Sequence, residues 1–199
     1  MPRSPGSAMT KARMRGIVTG AMILTLFGGL WGILALAFWP ARPRWGIPSA
    51  CAVTLALLIL CVLRYAASAK MPDSHDPAAA AKGKHIGMLF GITFGVECGL
   101  IAFGSALLGH YGLGYWIPVE VGIIVGAHFA PLARIFEAPL YYWTAALCVL
   151  GIVGCLFIRD VGTRLLCVGL VMAGVLWLTA VVLVVQAWTV PPARYQLDV

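Results

Sequence analysis

Long apolar runs, separated by short polar or proline-bearing segments, dominate the chain. Six of these runs are long enough, at about 20 residues, to cross the hydrocarbon core of a bilayer as helices. They cover residues 16–39, 45–63, 86–109, 115–136, 140–158 and 165–188. Each run is continuously apolar rather than alternating, and this favours helices over strands. We therefore predict an all-α polytopic membrane protein, a bundle of about six transmembrane helices.

Composition supports this class and changes how the charge is interpreted. Hydrophobic residues make up 61% of the chain and charged residues only 11%, whereas a soluble domain has about a quarter charged residues. The net charge of +7 would suggest nucleic acid in a soluble protein. Here the basic residues lie between apolar runs, where they meet anionic lipid headgroups. We expect the lipid bilayer as a partner and no nucleic acid.

The distribution of basic residues predicts the topology. If the N-terminus lies inside, ten Lys and Arg residues fall on the inner side and four on the outer side, and basic residues favour the cytoplasmic side. The inner set is Arg3, Lys11, Arg13, Arg15, Arg64, Lys70, Lys82, Lys84, Arg134 and Arg194. The outer set is Arg42, Arg44, Arg159 and Arg164. We therefore predict both termini in the cytoplasm of a bacterial inner-membrane protein.

Three parts follow along the chain. Residues 1–15 form a basic cytoplasmic segment, residues 16–188 a single six-helix membrane domain, and residues 189–199 a cytoplasmic tail. The first apolar run exceeds the 7–15-residue core of a cleaved signal peptide. It is interpreted as a retained helix, with a signal peptide as the alternative.

Three ionisable side chains lie inside the third and fourth predicted spans: Glu97, Glu120 and His128. A charge at the centre of a membrane helix costs about 2.5–3.5 kcal/mol on insertion scales, so such residues face the bundle. Glu97 is either a proton carrier or cation ligand, or a protonated acid hydrogen-bonded to a neighbouring helix. Glu120 either takes part with Glu97 in carrying a proton or cation, or pairs with Arg159 or Arg164 at the interface. His128 is a packed hydrogen-bonding group, a proton relay, or a metal or haem ligand.

The depths of these groups suggest a ladder. A short turn joins spans three and four, which predicts antiparallel neighbours. At 1.5 Å per residue, His128 lies about 10 Å from the cytoplasmic ends, Glu97 about 16 Å and Glu120 about 22 Å. Water molecules could bridge the gaps between these three side chains. This arrangement requires the three side chains to face one another.

The fourth span also carries residues suited to helix packing. Gly122 and Gly126 form Gly-x-x-x-Gly, which allows close helix contact, and Pro131 removes a backbone donor near the other end. The run 120–134 resembles the central helix of small uncharacterised bacterial multi-pass inner-membrane proteins, with the pattern Gly-x-x-x-Gly-x-His-Phe-x-Pro-Leu-Ala. The resemblance covers spans three to five and marks Gly122, Gly126, His128, Phe129 and Pro131. It implies a helical membrane fold and no activity.

These observations lead to a functional hypothesis with two alternatives. No nucleotide-binding or hydrolase motif occurs, so we expect a small transporter or channel rather than an enzyme, without cofactor or metal. The intramembrane Glu97, Glu120 and His128 would form its proton-coupled polar pathway, for an unidentified ion or small molecule, in a homo-oligomer. A membrane-embedded lipid enzyme would instead need a water-filled cavity opening sideways. An accessory subunit without chemistry would have its acids satisfied by helix–helix hydrogen bonds, away from any cavity.

Overall fold

The computed structural model describes residues 11–39, 41, 43–71 and 77–189. Within these residues the chain forms six α-helices and no strand. The helices are α1 (Lys11–Ala37), α2 (Gly46–Ala67), α3 (Pro77–His110), α4 (Ile117–Ile135), α5 (Leu140–Cys155) and α6 (Val161–Thr189). Five of them are long and apolar enough to cross a membrane, and α5 is shorter. The predicted all-α membrane bundle is confirmed.

Several helices extend beyond their apolar runs. Helix α1 begins at Lys11, so part of the predicted basic N-terminal segment is helical. Helix α3 begins at Pro77, nine residues before the predicted third span. Proline at the first helical position and the four alanines that follow it favour a helix start there. Residues 1–10, the loop centre 72–76 and the predicted tail from 190 onward lie outside the described residues.

Consecutive helices pack side by side except α2 and α3, and α6 returns to contact α1. The α1–α6 contact is the most extensive in the described part of the chain. Helix α3 occupies the edge of the bundle, packing on α4 and on the 3-10 turn Gly114–Trp116 that precedes it. It is also the least buried of the five long helices. The α3–α4 hairpin is therefore attached to the rest of the fold through α4.

Small residues bring α1 and α6 together. A Cβ atom placed on Gly28 would lie 2.6 Å from the Trp177 ring, and one on Gly32 would lie 3.2 Å from the same ring. Farther along the pair, a Cβ on Gly169 would lie 2.7 Å from the Cβ of Ala35. Close helix approach through small side chains is a common basis of packing in membranes, where the hydrophobic effect does not drive association.

Helix α5 has 16 residues, a length of about 24 Å, and packs on α4 and α6. Gly126 of α4 lies against Cys148, and Gly122, one turn away, lies against Ile152. The two helices are thus antiparallel. After Cys155 the chain continues in turns closed by i to i−3 hydrogen bonds as far as Ile158. The predicted fifth span, 140–158, corresponds to this helix plus its tightened last turn.

An exposed ion pair ties the start of α3 to the turn between α4 and α5. Glu137 follows α4 with φ of 53°, and the Ala138 N–H donates to the Ala133 carbonyl at 3.0 Å, as in a Schellman helix end. The Lys82 Nζ atom lies 2.9 Å from Glu137 Oε1. Its hydrogen bond and positive charge hold the pKa of Glu137 below the usual value.

We expect Lys82→Gln to raise the pKa of Glu137 toward that of a free glutamate. Because the folded-state pKa is depressed, the ion pair is fully formed above the ordinary carboxyl pKa and is lost as pH falls through the depressed value. NMR titration of the labelled Glu137 carboxyl carbon measures the shift. Lys84→Gln, a change of the same charge on the same helix, is the control. An equal shift in both variants would contradict a specific pair.

Candidate functional site

Helix α3 turns one partly buried stripe toward α4. Its partly buried members recur at helical spacing: Ile86, Leu89, Phe90, Thr93, Ile101, Gly104, Ser105 and Leu108. Glu97 lies in the middle of this stripe. It is 6% exposed and is the only fully buried residue among positions 81–110. An ionisable residue thus occupies the best-protected position of the helix, as expected for a costly group inside a membrane.

The buried carboxylate of Glu97 meets His128 of α4 directly. Glu97 Oε1 lies 3.2 Å from His128 Nδ1, and the same nitrogen lies 2.7 Å from the carbonyl oxygen of Val125. A carbonyl can only accept, so Nδ1 carries the proton in that contact. The carboxylate oxygen therefore lies close to an N–H group, and Nε2 is the nitrogen that accepts a second proton.

Aromatic rings hold the imidazole in place from the α5 side. The ring centroids of His128 and Phe129 are 4.6 Å apart, and Phe129 stacks on Tyr141 of α5 at 5.8 Å. The side chain of His128 retains 15% of its exposure. The pair is thus fixed between α3 and the α4–α5 contact, with most of its surface removed from the surroundings.

Glu120 occupies a second polar position near the start of α4. The Ser105 hydroxyl donates to Glu120 Oε2 at 3.1 Å. The other oxygen, Oε1, is buried without a hydrogen-bond partner in the described part of the chain. A Cβ atom added at Gly104 would overlap this carboxylate. Gly104 and Ser105 therefore form the niche that receives Glu120.

The hairpin register explains both contacts. Glu97 pairs with His128, and Ser105, eight residues later, pairs with Glu120, eight residues earlier. An antiparallel helix pair requires this relation. Sequence reasoning missed Gly104 and Ser105, although the register would have identified Ser105 once Glu97 was placed opposite His128.

The predicted ladder is only partly present. Glu97 and His128 lie at one level and touch, whereas the estimated depths separated them. The estimate assumed that the cytoplasmic ends of the two apolar runs are level. In the observed register Ile135, the last residue of α4, lies opposite Phe90, four residues inside the third run. Eight residues of helix, about 12 Å, separate this pair from Glu120. In the register, Ile101 and Ile124 lie midway between the two polar positions, and both are partly buried.

Two surface grooves in the described residues do not reach these polar groups. One is lined by residues around Pro43 and Ile47, and the other by residues around Pro131 and Tyr142. No group of three His, Cys, Asp or Glu side chains that could hold a metal ion occurs within the described ranges. The site brings together carboxylate, imidazole and hydroxyl groups, which exchange protons and hydrogen bonds.

Comparison with known proteins identifies a family and no activity. A family model described as "Family of unknown function (DUF7010)" matches residues 82–186, which is more than half of the chain. No curated protein and no solved structure matches. The matched range contains Glu97, Ser105, Glu120 and His128.

Proposed function

We propose that this chain, which belongs to the DUF7010 family of unknown function, is a small proton-coupled transporter or channel. Its working unit would be the α3–α4 hairpin, in a homo-oligomer of the bacterial inner membrane with both termini in the cytoplasm. The observation that supports the proposal is the buried contact between Glu97 and His128. The transported ion or small molecule is unidentified.

The chemistry of the pair suits proton transfer. A carboxylate and an imidazole are the side chains most used to give and accept protons. The two touch at 3.2 Å, within reach of direct exchange once the geometry tightens. Nδ1 already carries a proton, which it donates to the Val125 carbonyl, so it cannot take one from Glu97. A proton taken up at Nε2 would instead let Nδ1 pass its proton to the Glu97 carboxylate, which leaves a neutral ring with its proton on Nε2.

In this proposal Glu120 is the proton- or cation-binding group at the outer end of the pathway. Its Oε1 atom is buried and unpartnered within the described residues, a state that favours uptake of a proton or a cation. About 12 Å of helix separates Glu120 from Glu97, and Ile101 and Ile124 lie between them in the helix register. The proposal therefore requires a rearrangement that admits water between them. The edge position of α3, which packs mainly on α4, favours such movement.

Proton flux into liposomes tests the proposal. Purified protein is reconstituted with a pH-sensitive dye inside, and a pH gradient is imposed. We expect wild-type protein to carry protons and Glu97→Gln to reduce the flux at least about tenfold, because the amide cannot release a proton.

The control is Glu137→Gln, which makes the same chemical change at an exposed glutamate outside the membrane spans. It is expected to retain wild-type flux. Wild-type flux in Glu97→Gln would contradict the proposal, as would an equal loss of proton flux in Glu97→Gln and Glu137→Gln.

An accessory subunit without chemistry is the second candidate. Two observations favour it. Glu97 contacts His128 and Glu120 accepts a hydrogen bond from Ser105, and the two surface grooves described above do not reach either acid. It predicts that wild-type protein carries no protons. It also predicts that Glu97→Gln weakens the α3–α4 contact, measured as faster proteolysis between those helices.

A further inference from the structure

A buried arginine stands at the start of α6, outside the proposed pathway. Arg164 is 6% exposed, and its Nε and Nη2 atoms are buried without a hydrogen-bond partner in the described part of the chain. Its guanidinium carbon lies 4.1 Å from the centre of the Trp116 ring and 6.0 Å from that of Tyr115. A guanidinium removed from water without an anion is costly.

Neither neighbouring acid forms an ion pair with it. The pKa of Asp160 is held below its usual value mainly by hydrogen bonds from Thr163, with a smaller contribution from the charge of Arg164. Asp160 Oδ2 accepts from the Thr163 N–H at 2.7 Å and so caps α6. Glu120, for which pairing with Arg159 or Arg164 was one of two alternatives, accepts from Ser105. The ion pairs seen in the described residues do not include Arg164. The guanidinium therefore retains its capacity for an external anion.

The unpartnered atoms define the chemistry of that anion. Nε and Nη2 form one edge of the planar guanidinium, and this edge binds two oxygens of a carboxylate or phosphate side by side. The first turn of α6 adds the positive end of the helix dipole. Tyr115 and Trp116 are the amphipathic residues typical of the membrane–water interface, where phosphate groups of lipids are concentrated.

We propose that Arg164, with Tyr115 and Trp116, forms a phosphate-binding site at the outer end of the bundle. Phosphate oxygens would bind the Nε–Nη2 edge, while the aromatic rings stack on the face of the guanidinium. A lipid headgroup and free inorganic phosphate share this chemistry. The site is independent of proton transfer at Glu97.

Thermal unfolding of delipidated protein in neutral detergent tests the site. Short-chain phosphatidylglycerol or inorganic phosphate is added to separate samples, with diacylglycerol as the phosphate-free lipid. We expect wild-type protein to gain about 5 °C in Tm at about 100 times Kd. A gain with phosphatidylglycerol alone identifies a lipid headgroup, and a gain with both identifies phosphate itself.

Arg164→Met should abolish that gain, and Arg159→Met, at an exposed arginine of the same turn, should retain it. Without ligand, Arg164→Met should unfold at or above the wild-type temperature, because it removes two unpartnered buried donors. A purely structural arginine would give the reverse, a lower Tm without ligand, and that result would overturn the proposal. A gain equal to wild type in Arg164→Met, a gain with diacylglycerol, or no gain in wild type would also overturn it.

Arg164→Lys keeps the proposal testable if the methionine variant fails to fold. Lysine retains the charge but offers no planar two-atom edge. We expect about tenfold weaker phosphate binding than in wild type. Equal affinity would contradict the bidentate site.

Discussion

Replacing Gly169 with alanine is expected to lower the free energy of unfolding by about 1–3 kcal/mol, the usual cost of overpacking a tight core. The added methyl group would lie 2.7 Å from the Cβ of Ala35 and 2.9 Å from its Cα and N atoms. Two of these three atoms belong to the backbone of α1, so no side-chain rotation relieves the overlap. Helices α1 and α6 would have to move apart along the most extensive contact of the bundle.

Gly174→Ala is the matched control on the same helix. A Cβ at Gly174 meets nothing within 4 Å, and alanine favours a helix over glycine by about 0.8–1 kcal/mol. We therefore expect opposite signs from two identical substitutions five residues apart. Thermal unfolding in detergent measures both, with a fall of several °C for Gly169→Ala. A stabilised Gly169→Ala variant would show that α1 and α6 do not pack this closely.

These two glycines mark a limit of sequence reasoning. The motif Gly122-x-x-x-Gly126 was recognised from its spacing alone, and both residues lie against α5. Gly169 belongs to no such motif. Its role depends on which α1 residue lies opposite it, and that is set by the register of helices distant in sequence. Hydropathy predicts that helices exist and cannot supply that register.

The helix ends illustrate a second limit. Hydropathy detects the segment that lies in hydrocarbon, whereas a helix ends where its hydrogen bonds end. Polar residues such as Lys82 do not interrupt hydrogen bonding, so α3 starts at Pro77 rather than at the apolar boundary. The estimated depths of Glu97 and His128 also treated the apolar boundaries of the two helices as level, and the observed register, in which the two side chains are in contact, shows that they are offset.

The sequence singled out Glu97 because an acid inside a membrane carries a large free-energy cost, but it did not indicate which residues contact the candidate site. Glu97 was singled out because an acid in mid-membrane needs a reason, and the structure buries it more than any other described residue of α3. Arg164 was assigned to the outer side from charge counting and was considered as a partner of Glu120 at the interface. Its burial under Trp116 depends on where the α3–α4 turn folds, which no local pattern in the sequence indicates.

The niche around Glu120 gives a sharp functional prediction, which rests on the proposed proton pathway. An alanine at Gly104 would place a methyl group where the Glu120 carboxylate now lies. We expect the carboxylate to swing away and lose the Ser105 hydrogen bond. Because the obstacle is the end of a flexible side chain, the fold should survive with little change in Tm.

Proton flux in liposomes should therefore fall about tenfold in Gly104→Ala, as in Glu120→Gln, since general acid–base groups contribute at least this factor. Gly99→Ala is the control on the same helix, because a Cβ there meets nothing within 4 Å. Wild-type flux is expected for it. If Gly104→Ala lowers Tm and leaves flux intact, the niche holds α3 against α4 and carries no protons. If flux falls while Tm is unchanged, proton transfer requires Glu120 to occupy the position that Gly104 and Ser105 set.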